Sequence, residues 1–158
     1  MDGITQSLQR YLRSENLKFT TFFNSDTGLK SGNPTSTTFY LSNEDNDEQT
    51  IDVIIDIFPE TNQFFLSAHP RFVIDSIFYK SLKDYERHWN DSGMHCRLSI
   101  SEGHDTYETN HCCFSIAIQG LCDPVGLTDY VWERYIVLAE METFSAWEEI
   151  DDLISPGD

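Results

Sequence analysis

Apolar residues recur in the first segment at Ile4, Leu8, Tyr11 and Leu12, the i, i+4, i+7, i+8 spacing of one helix face. Asp2 stands where an N-cap belongs, and the pattern predicts a helix that ends near Asn16. The period then changes. Lys18 to Phe23 and Thr37 to Leu41 are β-prone, with turn-rich stretches at Asn24–Gly28 and Lys30–Pro34 between them. An acidic loop is expected over Asn43–Glu48. Two β-branched and aromatic runs follow, Ile51–Phe58 and Gln63–Ala68, joined by Pro59-Glu60-Thr61-Asn62. That turn chemistry predicts an antiparallel hairpin. In the first run Ile51, Val53, Ile55 and Ile57 fall on one face, and Asp52, Ile54 and Asp56 on the other. Such alternation belongs to a sheet with one dry face and one partly wet face.

A second helix is predicted from about Asp75, with Phe78, Leu82, Tyr85 and Trp89 on one stripe and Asp91-Ser92-Gly93 as its stop. Met94–Ser101 and His111–Gln119 read as strands joined across Glu102-Gly103-His104-Asp105. Gly120–Gly126 reads as a loop, and Thr128 as the N-cap of a long helix to about Ile150. Consecutive antiparallel strands interrupted by helices give an α+β class, a twisted antiparallel sheet packed against helices in the order α-ββββ-α-ββ(β)-α. One domain is expected over residues 1–150, then a frayed acidic tail over 151–158.

Charge alters this picture at one end. The chain of 158 residues has 10 Lys and Arg against 27 Asp and Glu, a net charge of −17. Residues 44–60 contain 7 acids and no base, and residues 123–158 contain 10 acids against Arg134 alone. Nucleic acid and anionic membranes both need the opposite sign, so neither is an expected partner. No apolar run approaches the roughly 20 residues of a membrane span. The N-terminal residues lack the basic and apolar regions of a signal peptide, so a soluble, cytoplasmic protein is expected.

Candidate chemistry is sparse. No glycine-rich loop opens a helix, and no serine sits in a nucleophile-elbow pattern. His95, Cys96, His104, His111, Cys112, Cys113 and Cys122 fall within 28 positions. A hairpin turning near Gly103-His104 would set Cys96 opposite Cys112 and His95 opposite Cys113, close enough for a disulfide or two zinc ligands. Zinc-type Cys-x-x-Cys or His-x(3–5)-His spacing does not occur, and adjacent Cys112 and Cys113 point to opposite strand faces. No catalytic residue, metal or cofactor is therefore expected.

The last helix carries two apolar tracks: Val131, Tyr135 and Leu138, and Trp132, Ile136, Ala139, Trp147 and Ile150. That stripe is wider than one shallow contact requires. Trp132, Ile136, Glu140 and Trp147 are accordingly the candidate partner-binding residues, with Asp129, Glu133, Glu140 and Glu142 as an acidic rim and a homodimer as the simplest assembly.

With these elements in place, the chain resembles the YbjN-like family, whose domains share the type III secretion chaperone-like fold. The resemblance lies in an amphipathic N-terminal helix over Ile4–Leu17 and the hairpin of Ile51–Phe58 with Phe64–Ala68. It extends to a middle helix ending in Trp89-Asn90, a strand pair, and a closing helix with Phe144 and Trp147 near its end. The polar stretch Ser31–Thr38 and the His/Cys set depart from it. The resemblance implies an α+β sandwich without a catalytic set, in a family of regulators and chaperone-like proteins. The leading expectation is a non-catalytic protein-binding domain, chaperone-like or regulatory. Its rivals are a metal-binding or enzymatic domain using the set at 95–122, and an acidic decoy of the immunity type.

Overall fold

The computed structural model describes residues 3–23, 34–102, 111–122 and 129–155. Asp2, Gly103, His104 and Thr128, to which the sequence assigned caps and a turn, lie outside them. The first helix, α1 (Gly3–Ser14), buries Ile4, Leu8, Tyr11 and Leu12. It closes as the sequence predicts: Asn16 takes the left-handed conformation (φ 57), and the Leu17 N–H returns to the Leu12 carbonyl at 2.9 Å.

Strands β1 (Phe19–Phe22), β2 (Thr35–Asn43), β3 (Asn46–Phe58) and β4 (Gln63–Pro70) form an antiparallel meander. The hairpin of β3 and β4 has the register Ile55↔Leu66 and Phe58↔Gln63. Most of the segment expected as an acidic loop is strand, and the chain turns tightly at Glu44-Asp45. Asn43 and Asn46 accept backbone hydrogen bonds from Asp45 and Glu48, which stabilises the tight turn without apolar residues.

A two-residue strand, β5 (Ile74–Asp75), follows β4 and was not expected. A 3-10 turn over Ser76–Phe78, capped by the Asp75 carboxylate on the Ile77 N–H, leads into α2 (Tyr79–Asp91). Strands β6 (Arg97–Glu102) and β7 (His111–Leu121) complete a 7-stranded sheet. Cys112 pairs with both Ile74 and Glu102, and Ala117 with both Ser67 and Arg97. Thus β4 and β5 share one side of β7, while β6 runs along its other side as an edge strand.

The dry face is the one the alternation predicts: Ile51, Val53, Ile55 and Ile57 are buried, with Phe64, Leu66, Phe114 and Ile116 beside them. Among the described residues, helices pack against this face. The last helix, α3 (Asp129–Ile154), lies over β4 and β7 and packs alongside α1, where Trp132 Nε1 donates to Ser7 Oγ at 3.1 Å. It runs beyond Ile150: Asp151 to Ile154, expected as part of a tail over 151–158, are helical, Ile154 packs on the core, and residues 156–158 lie outside the described residues.

The middle helix does more than cover. The outward-facing backbone groups of β6 and its approach are met by side chains of α2. Trp89 Nε1 donates to the Cys96 carbonyl at 3.0 Å, and Asn90 bonds both the N–H and the carbonyl of Leu98 at 2.9 Å. Glu86 accepts from the Ile100 N–H at 2.6 Å. A sheet edge that would otherwise be open is closed by a helix. Among the described residues no helix is long and apolar enough to cross a membrane.

Candidate functional site

The described members of the His/Cys set are dispersed, and His104 lies outside the described residues. Register places Glu102 opposite Cys112 and Ser101 opposite Cys113, which corrects the expected pairing of Cys96 with Cys112 and of His95 with Cys113. Cys96 precedes β6, where its N–H donates to Glu142 at 3.0 Å. Cys112 is buried under the helices, and Cys113 faces the other side of the sheet against Ser101 Oγ at 3.3 Å. Among the described residues no three His, Cys, Asp or Glu side chains are grouped to hold a metal ion.

Burial pushes the Cys122 thiol up to about 12. It does the same to Cys96, also to about 12, with the Glu142 carboxylate adding to the effect. Cys112 is shifted upward as well, first by burial and then by Cys113, Asp75 and Glu102. The thiolate is the reactive form, so burial and these upward shifts make the three sulfurs less reactive than an exposed thiol at neutral pH. A disulfide reagent at pH 8 should modify Cys113 alone in the folded protein, and all four free thiols in denaturant. Rapid native modification of any other cysteine would contradict this burial.

A second constellation was missed in the sequence. On the open face Ser67 Oγ lies 2.9 Å from His69 Nε2, and His69 stands opposite Asp52 across the β3–β4 hairpin. Burial lowers the His69 pKa, partly offset by Asp52. The types are those of a hydrolytic triad, but the geometry is not. Both Asp52 oxygens are engaged by Arg71, at 3.0 and 2.8 Å. Strand β4 is paired on both sides, so the N–H groups flanking Ser67 belong to ladders and cannot bind an oxyanion. The hairpin expected at the Pro59–Asn62 turn, carried through to a register, was the signal that could have found this row.

The remaining candidate lies on α3. Of the four expected partner-binding residues, Trp132, Ile136 and Trp147 are buried in the chain's own core. The reason is that the sheet covers one side of the wide stripe and α1 another. Phe64 meets Trp132, while Phe72 and Phe144 stack on Trp147. Glu142, expected on the rim, is also inside, accepting from His95 and the Cys96 N–H. Glu140 alone of the four lines an open site.

That site is a furrow between the β2–β3 turn and the outer face of α3, with a volume of about 790 Å³. Six carboxylates line it, from Glu44, Asp45, Glu140, Glu148, Asp151 and Asp152, and among the described residues no base does. Its apolar floor is Val137, Met141 and Phe144, with Met141 64% exposed. A second hollow of about 440 Å³ shares Val137 and Met141 and continues past Arg134 to Tyr130, with His95 on its wall. Burial raises the Glu140 pKa, and Glu44 raises it further. The fold therefore brings like charges together here, and among the described residues no counter-charge lines the furrow.

Sequence reasoning missed Tyr130, Val137, Met141, Glu148, Asp151 and Asp152 as site residues. Their signal was available for all but Asp152: with Arg134 and Phe144, the run from Tyr130 to Asp151 follows a 4-3-4-3 spacing, which selects one helix face. Comparison of the chain with family models, curated proteins and solved structures gives no match.

Proposed function

We propose that this chain is a non-catalytic protein-binding domain, chaperone-like or regulatory, whose acidic furrow takes a basic, partly apolar segment of a partner protein. The observation that carries the reading is the furrow itself, six carboxylates around an apolar floor. Groups of one sign gathered about an apolar strip favour a partner of the opposite sign and speed its encounter. A Lys or Arg seated between Glu44 and Glu140 would relieve the repulsion that raises the Glu140 pKa. The resemblance to YbjN-like proteins points to the same class. A cytoplasmic location goes with it, since the cytosol keeps thiols reduced and three of the four cysteines are buried.

Homodimerisation is the second reading of the assembly, and the charge weighs against it on this face, because each copy would bring its own carboxylates. Fluorescence anisotropy with labelled peptides tests the proposal. Lys-rich amphipathic peptides should bind, and their acidic counterparts should not. Raising salt from 50 to 500 mM, which shrinks the screening length, should weaken binding roughly tenfold or more. Glu140→Lys with Asp151→Lys should abolish it while circular dichroism stays native. Equal binding of basic and acidic peptides would refute the reading.

A further inference from the structure

The furrow also indicates the shape and direction of its occupant. We infer that the partner segment is an amphipathic α-helix, basic toward its N-terminal end, that docks antiparallel to α3. This rests on the proposed function for its sign of charge and goes beyond it in conformation and polarity.

Three observations lead there. The solvent side of α3 carries Tyr130, Arg134, Val137, Met141, Phe144 and Glu148 at successive steps of 4, 3, 4, 3 and 4 residues, the spacing of a helix–helix seam. From Tyr130 to Asp151 that face is about 32 Å long at 1.5 Å per residue, enough for six turns of a second helix. An extended peptide, by contrast, takes its affinity from an unpaired strand edge. Neither wall of the furrow offers one: one wall is α3, and the other is a turn whose strands pair with each other.

The third observation is the charge gradient. Arg134 is the only base in residues 123–158 and lies toward the N-terminal end of α3, where Glu133 and His95 line the same hollow, while Glu148, Asp151 and Asp152 crowd the other end with no base in that stretch of sequence. The C-terminal end of a helix is itself negative. The positive N-terminus of an incoming helix and its Lys or Arg residues therefore belong beside Glu148 to Asp152. Its negative C-terminus belongs beside Arg134. A second copy of this chain fits poorly, since antiparallel self-docking would offer one arginine per copy against six carboxylates.

The probe is a synthetic peptide of about 21 residues, six helical turns, with Leu at heptad a and d positions, Lys in its N-terminal half and a free C-terminal carboxylate. Two controls keep its charge: one with the leucines scrambled, one with a central proline. The heptad peptide should bind at least about tenfold tighter than either, the difference of one well-placed contact set. Met141→Glu, at an exposed position, should weaken it by a similar factor. A nitroxide on the peptide N-terminus should broaden the amide signals of Glu148 to Asp152, and one on the C-terminus those near Arg134. Equal binding of all three basic peptides would overturn the helix while leaving the basic-partner reading intact, and reversed broadening would overturn the direction. Failure of every basic peptide would overturn both. A dimer in light scattering that Met141→Glu dissolves would replace the partner with a second copy.

Discussion

Trp147→Glu is expected to abolish the cooperative fold. Trp147 is 5% exposed, with its ring stacked on Phe72 at 5.1 Å and on Phe144 at 6.4 Å between centroids. Removing a buried tryptophan costs about 3–5 kcal/mol. Placing an unpaired carboxylate there adds a further few kcal/mol of desolvation. Together these approach the whole stability of an ordinary domain, about 5–15 kcal/mol. Urea titration followed by circular dichroism should show a missing or greatly shifted transition. Met141→Glu is the matched control: the same new charge on the solvent side of the same helix should change stability by less than about 0.5 kcal/mol. A Trp147→Glu protein that keeps its transition but loses self-association would move Trp147 to an interface and contradict the packing described here.

Alkaline pH is expected to destabilise the protein from about pH 9 upward. Cys96 and Cys122 lie near 12 in the folded chain, against an ordinary thiol value of 9.0. Below pH 9 both states keep these protons, and the contribution to stability is complete. Above pH 9 the unfolded chain releases protons that the folded chain retains, so the unfolded state binds fewer protons and is increasingly favoured as pH rises. Each such thiol lowers stability by about 1.4 kcal/mol per pH unit until the folded value is reached. Tyr85, raised first by burial and then by its hydrogen bond to Glu149, acts in the same direction at higher pH. The urea midpoint should therefore fall steeply between pH 9 and 11, and Cys96→Ala with Cys122→Ala should flatten that fall. A wild-type midpoint that stays level over this range would mean that the sulfurs ionise as freely in the fold as outside it.

How much of this was legible in the sequence follows from where the signals are periodic. Ile51–Phe58 and Gln63–Ala68 alternate cleanly about a strong turn, and their faces and pairing could be read directly. The helices were legible for the same reason. Residues 46–50 were not, because Asn, Asp, Glu and Gln carry no strand pattern and are held by turn hydrogen bonds and a neighbouring strand. Ile74-Asp75 is too short to have a period. The β6–β7 register differed from expectation because no residue between the strands marks the turn uniquely. For α3 the width of the apolar stripe was plain, but the residues that cover it lie far away in sequence. Trp132 was assigned to a partner although Ser7 and Phe64 already enclose it. Of the four residues named from the sequence, only Glu140 lines the open furrow, since a carboxylate beside an apolar track stays near water whatever else moves.

The closure of β6 by α2 makes two events into one. The Leu98 and Ile100 amides face away from β7, yet their partners are Asn90 and Glu86 on the helix. Solvent hydrogen cannot reach them until the helix lifts, so an edge strand here exchanges its protons at the pace of a helix undocking. The same motion would uncover Leu82 and Trp89 at that moment. A bare strand and a bare apolar strip then arise together, in one short-lived species. That species, rather than the fully unfolded chain, is where association into aggregates would begin, and the bonds of Asn90 and Glu86 set how rarely it forms.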